Sequence, residues 1–244
     1  MFMIMFRKYS GKMYCFSPPV MLATFVIEFI LAFYTLWRYK LTTVTRIAFV
    51  MLITLGAFQL AEYMVCGGLG WSHIEWARFG YVAITLLPAL GIHMLVKLAN
   101  KKAPWLVAAA YLTCAAFVAF YLLGAGAING QACYPNYAVF YTNHDVSQLY
   151  TAYYYGWLMI GVYLAWQWGN EQPLIRNTLR AMMLGYLVFL VPTTIFNIID
   201  PTTLKGIPSI MCGFAVLLSL VVVLRVLPAS AKKRSGDWTR TGIS

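Results

Sequence analysis

The stretch that decides the fold is IPSIMCGFAVLLSLVVVLRV, Ile207–Val226, in which Arg225 is the one charge. At a helical rise of about 1.5 Å per residue, such a run covers the ~30 Å of a hydrocarbon core. Six further runs have comparable length and apolarity: Val20–Trp37, Ile47–Val65, Gly80–Leu98, Trp105–Leu123, Leu149–Trp168 and Arg180–Ile199. Their hydrophobicity is continuous, not alternating, and in lipid only helices or closed barrels satisfy the backbone, so each run reads as a helix. Composition agrees. Of the 244 residues 61% are hydrophobic and 10% charged, against the ~25% charged residues of a soluble domain. The expectation is an all-α integral membrane protein, one seven-transmembrane-helix bundle over residues 20–226. An outer segment (1–19) precedes it and a basic tail (227–244) follows, with no second domain.

Charge sets the expected orientation. With the N-terminus outside, the cytoplasmic side receives Arg38, Lys40, Arg46, Lys97, Lys101, Lys102, Arg176, Arg180, Arg225, Lys232, Lys233, Arg234 and Arg240. The outer side receives Arg7, Lys8, Lys12, Arg78 and Lys205. An excess of Lys and Arg marks the cytoplasmic side, so the C-terminus is expected in the cytoplasm. The net charge of +11 is spread over short loops, which makes it a topology signal and not a nucleic-acid footprint. Membrane lipids are the expected surroundings, with the tail KKRSGDWTR as a stop-transfer anchor against anionic headgroups. Three outer charges fall in MFMIMFRKYSGK, where they follow a short apolar run instead of preceding it. That is the wrong order for a signal peptide, and translation is expected to begin at Met13.

Several chemistries are excluded by what is missing. No Walker A loop, GxSxG or HExxH occurs, and no catalytic cluster is recognisable, so an enzyme is not expected. Retinal requires a lysine deep in a helix, whereas Lys97 lies at a helix end and Lys205 in an outer loop. Bis-histidine haem requires two facing histidines, and His93 alone lies within a span. No cofactor is expected. His73 and His144, with Glu75 and Asp145, are scattered over the outer loops without the spacing of metal ligands.

Two stretches carry a family resemblance. WARFGYVAITLLPALGIHMLVKL, Trp76–Leu98, resembles the third helix of the seven-helix input domain that precedes some bacterial histidine kinases, with its Trp-Ala-Arg-x-x-Tyr opening and mid-helix Leu-Pro. GIPSIMCGFAVLLSLVVVLRVLP, Gly206–Pro228, resembles the seventh helix of that family, including the closing Arg and Pro. The resemblance implies a sensor in the bacterial cytoplasmic (inner) membrane that signals through a cytoplasmic or membrane partner. Here it would be a stand-alone input module, because the chain stops where that family continues into signalling domains.

The polar residues inside the spans are the candidate site. An ionisable side chain at mid-bilayer costs at least ~2.5–3.5 kcal/mol, which makes each a functional hypothesis. Glu28 lies roughly 12 Å into the first span and His93 about 20 Å into the third, at the helical rise. Thr24 shares the Glu28 stripe. Gln59, Glu62 and Cys66 form a second stripe, with Glu62 read as an acid at the outer entrance. Glu62, Glu28 and His93 are expected to form a descending polar path, a ligand-binding or proton-responsive core.

The outer side holds further candidates. Cys15, Cys66 and Cys133 map there, with Cys212 about a turn below. Cys66–Cys133 is the favoured disulfide, while Cys15–Cys133 and Cys66–Cys212 stay open. Tyr153 and Trp157, four residues apart, are expected to line an outer pocket together with Asn197, which with Thr193 and Thr194 also lies near the backbone carbonyl freed by Pro192. Two functions follow: a sensor or ligand-binding module acting through a partner, or a transporter of small solutes, proton-coupled or not.

Overall fold

The structure, a computed structural model, describes residues 18–67, 72–124, 126–133, 138–142, 144–199, 201 and 206–232. The expected start at Met13, Cys15, Lys205 and the basic residues after Lys232 fall outside these, as does the side chain of His144.

Seven long helices follow the apolar runs: α1 (Pro18–Arg38), α2 (Thr43–Gly67), α3 (His73–Leu98), α4 (Pro104–Leu123), α5 (His144–Glu171), α6 (Arg176–Ile199) and α7 (Ile207–Val221). A π-helical segment, Val222–Val226, continues α7 into a last short helix, α8 (Leu227–Ser230). Among the described residues, six helices are long and apolar enough to cross a membrane: α1 to α4, α6, and α7 with its extension. The fifth, α5, has 28 residues, but its tyrosines and its Gln167–Asn170 end dilute its hydropathy. The architecture is a membrane-spanning helix bundle.

The outer loop departs from the all-α expectation. Ile128–Cys133 (β1) and Ala138–Thr142 (β2) pair antiparallel. The loop carries a run of residues with strong β-formers, AVFYT, whose apolar members are buried against the bundle. Ala138, Val139 and Phe140 are all buried, and Phe140 meets Tyr81 of α3 and Phe58 of α2 edge-on, at centroid distances of 5.6 and 6.2 Å. Cys66 at the end of α2 is disulfide-bonded to Cys133 of β1, which fixes the hairpin over the mouth of the bundle.

Consecutive helices pack side by side, and α7 closes the ring by packing on α1 and α2. The most buried span is α3, which touches α2, α4, α5 and α6. Its start is set by a capping box: Ser72 N–H donates to Glu75 Oε2 (2.7 Å) and Glu75 N–H to Ser72 Oγ (3.3 Å). This reciprocal pair satisfies two donors that the first turn leaves free. His73 adds a ring N–H bond to Val65 O, 2.7 Å, joining the ends of α2 and α3. Glu75 and His73 therefore have structural partners at the helix start. In the middle, α3 and α5 leave room for a tyrosine from α6. A Cβ at Gly91 or Gly161 would run into the Tyr186 ring or its hydroxyl.

Candidate functional site

Two polar constructions lie side by side near the hairpin end. One joins α1, α2 and α7. Glu28, Gln59 and Glu62 expose 0, 1 and 1% of their surface, although an unpaired buried charge is among the costliest features a fold can carry. Gly56 lets α1 come close: a Cβ there would stand 2.6 Å from the Phe29 ring, with Glu28 Cβ beside it at 3.6 Å. Gln59 and Glu62 follow at three-residue steps, so the three positions climb one face of α2.

Facing them, α7 supplies Ser209 and Ser219, both buried. Ser219 Oγ donates to Glu28 Oε1 at 3.4 Å, a long bond, and also lies 3.3 Å from Ala215 O. One hydroxyl hydrogen cannot serve both acceptors well. Ser209 hydrogen-bonds Glu62, and its oxygen accepts from Ala138 N–H of β2 at 3.1 Å. Glu28 Oε2, Glu62 Oε1 and Gln59 Nε2 have no protein partner. Neither carboxyl is in a salt bridge; among the described residues the ion pair is Lys101–Glu171, at the opposite end of the bundle.

The second construction is a partly open cavity of about 290 Å³ walled by α3, β2, α5 and α7. Tyr81, Tyr150, Tyr154 and Tyr155 form much of its wall, Phe140 and Thr142 come from β2, and Pro208, Met211 and Cys212 from α7. The rings are held by packing and hydrogen bonds. Tyr81 stacks on Tyr121 at 4.6 Å, and Tyr150 OH lies 3.1 Å from Thr85 Oγ1. Cys212 and Tyr81 belong to this wall and also stand within electrostatic reach of Glu62. The two constructions therefore share a partition.

Not every residue singled out from sequence joins them. Glu62 is enclosed beneath the hairpin instead of standing at a wet entrance, because β2 and α7 cover the end of α2. His93 leaves the expected path: it hydrogen-bonds Tyr111 of α4 at 3.2 Å, since its position on α3 faces α4 and not α1. Thr24 sits a turn above Glu28 but turns its hydroxyl back to Val20 O and Met21 O, at 3.0 and 2.9 Å.

Tyr153 and Trp157 do point the same way, but between helices. Tyr153 OH donates to Thr85 O (2.7 Å) and Trp157 Nε1–H to Thr113 Oγ1 (3.0 Å). The cavity is lined by the neighbouring face of α5, Tyr150 and Tyr154, and not by Tyr153, Trp157 or Asn197. Near Pro192, Thr193 and Thr194 bond back to Phe189 O and Leu190 O (2.7 and 2.8 Å). These are not the carbonyl that the proline frees, which lies four residues before it, on Val188.

The residues that sequence reasoning missed are Ser209 and Ser219, Tyr81, and the β2 strand. A signal for the serines was present. Ser209, Cys212 and Ser219 recur at helical spacing along an otherwise apolar run, marking the face that meets another helix. Comparison of the chain with known protein families, with characterised proteins and with solved structures finds no match.

Proposed function

We propose that the chain is a membrane-embedded sensor, a ligand-binding module of the kind its third and seventh helices resemble, acting through a partner protein. The observation that carries this reading is the tyrosine-rich cavity under the hairpin. Small-molecule sites are concave and mostly apolar, with a few placed polar groups, and this cavity has that make-up. None of its described wall residues is charged, so the ligand class is a small uncharged molecule that accepts or donates hydrogen bonds at tyrosine and threonine hydroxyls. The orientation proposed places the hairpin outside and the C-terminus in the cytoplasm of a bacterial inner membrane. Its support is the gathering of Arg38, Lys40, Arg46, Lys97, Lys101, Lys102, Arg176, Arg180, Arg225 and Lys232 at the end away from the hairpin, where Arg78 stands apart. An excess of this kind marks the cytoplasmic face.

The test is native mass spectrometry of the gently purified protein, followed by thermal-shift titration with the molecule it retains. A sensor retains an uncharged small molecule and moves no solute in liposomes. Met211→Trp, which fills the cavity, weakens binding roughly tenfold or more, about 1.4 kcal/mol. Saturable binding that Met211→Trp leaves intact would remove the cavity from the proposal. A second reading, proton-coupled transport of a small solute, is favoured by the two buried glutamates. It requires solute flux that Glu28→Gln abolishes.

A further inference from the structure

We propose that Glu28 and Glu62 form a buried proton-exchange site, with Ser209 on its hairpin side and separate from the ligand cavity. Among the described residues, the groups of other elements that reach the two carboxyls are Tyr81 from α3 and Ser209, Cys212 and Ser219 from α7. Gln59 shares the helix of Glu62, three residues before it. None of these described groups is a cation, and Glu28 lies within electrostatic reach of Glu62. Two like charges enclosed in a bundle without a counter-charge repel each other and forgo their hydration, a combination proteins avoid by binding a positive charge. Among the described residues no three His, Cys, Asp or Glu side chains gather into a metal-ligating group. The smallest positive charge that two enclosed carboxyls can take up is a proton on each.

One oxygen of Glu28 accepts from Ser219, and Glu62 bonds Ser209, as packing between helices would have it. The remaining polar atoms set the site apart from such a static link. Here Glu28 Oε2, Glu62 Oε1 and Gln59 Nε2 remain free although fully enclosed. Those positions suit water or a moving proton. On the hairpin side Ser209 hydrogen-bonds Glu62 and accepts from Ala138 N–H. Glu62 lies nearer the hairpin and Glu28 deeper, against Ser219. The proton is transferred as H⁺ between oxygens, with no other bond made or broken.

Infrared spectroscopy of the whole protein in nanodiscs, in H₂O and D₂O, tests this without knowledge of any ligand. The expected result is a protonated-carboxyl C=O band at neutral pH that shifts within minutes in D₂O. Part of it is lost in Glu28→Gln and the rest in Glu62→Gln. Ser209→Ala perturbs the Glu62 component while sparing the other. Ionised carboxylate bands alone at neutral pH would overturn the proposal. If those bands moved when sodium replaced choline, they would identify a metal-cation site instead. Acid bands that neither exchange nor titrate would overturn it in favour of packing glue. Should a Gln variant fail to fold, exchange and titration of the unmodified protein still decide the outcome. Failure of the cavity to bind a ligand leaves these bands unaffected.

Discussion

Between α3, α4 and α5 the fold buries polar groups in pairs; between α1, α2 and α7 it buries them without partners. Thr85 is the hub of the first region. Its hydroxyl donates to Tyr81 O (2.6 Å), while its carbonyl accepts from Tyr153 OH (2.7 Å) and Cys114 Sγ–H (3.4 Å). Pro88, three residues on, removes a donor from this stretch of α3, and the side chains of α4 and α5 crowd in where the helix is opened. Tyr121 OH and Arg78 Nε are exceptions, enclosed without a partner. In the second region two carboxyls and a carboxamide share little more than two serine hydroxyls. Nearly saturated networks rigidify a structure, whereas every unpaired buried polar group is costly. The tyrosine side is scaffold and cavity wall; the glutamate side holds the costly groups.

The largest expected effect comes from releasing the hairpin that spans both regions. Replacing Cys66 and Cys133 together by serine should cost about 3 kcal/mol, as for a disulfide closing a long loop, measured as a lower midpoint in denaturation. The cavity and the glutamate site should lose their cover together. Thr85→Val, which removes the hub hydroxyl, should cost about 1–3 kcal/mol, because Tyr150 OH loses its partner. Glu28→Met provides the contrast. Replacing an unpaired buried acid by a hydrophobe of similar volume should be neutral or stabilising in the same assay. A loss as large as that of Thr85→Val would break the comparison.

Gly91→Ala sharpens the packing side. The added methyl meets the Tyr186 hydroxyl, so a loss of about 1–3 kcal/mol from overpacking is expected. Tyr186→Phe, which removes the obstructing oxygen, should restore most of it. The smallest effect is at the other end of the bundle. Lys101 donates to Glu171 Oε2 at 2.7 Å, and this bond holds the Glu171 carboxyl below the usual range. A depressed value means the contribution is present above the unfolded-state value and fades as pH falls through the folded one. Both side chains are exposed, so Glu171→Gln should shift the melting temperature very little and only outside acid conditions.

Legibility differed between the two regions for a physical reason. Glu28, Gln59 and Glu62 stand out in sequence because an acid or amide in a lipid-length apolar run is costly wherever it points. The cavity wall did not stand out. Tyrosines at a helix end satisfy the interfacial belt equally well, and nothing local separates Tyr150 and Tyr154, which line the cavity, from Tyr153, which does not. His93 shows the limit of depth alone. Its position along α3 was readable, but the side chain's angular direction, toward Tyr111, depends on how α3 is rotated among four neighbours.

Length and apolarity by themselves determined the helices, because the bilayer imposes both on any spanning segment. The same local arithmetic marked the acids as anomalies. Tertiary structure decided everything that depends on direction. It closed α7 against α1 and α2, so that serines from α7 meet glutamates far from them in sequence. It also laid β2 across the mouth of the bundle and enclosed an acid that otherwise reads as standing at the surface. Burial is a property of what covers a residue, and the strand that covers Glu62 comes from a loop between two other helices.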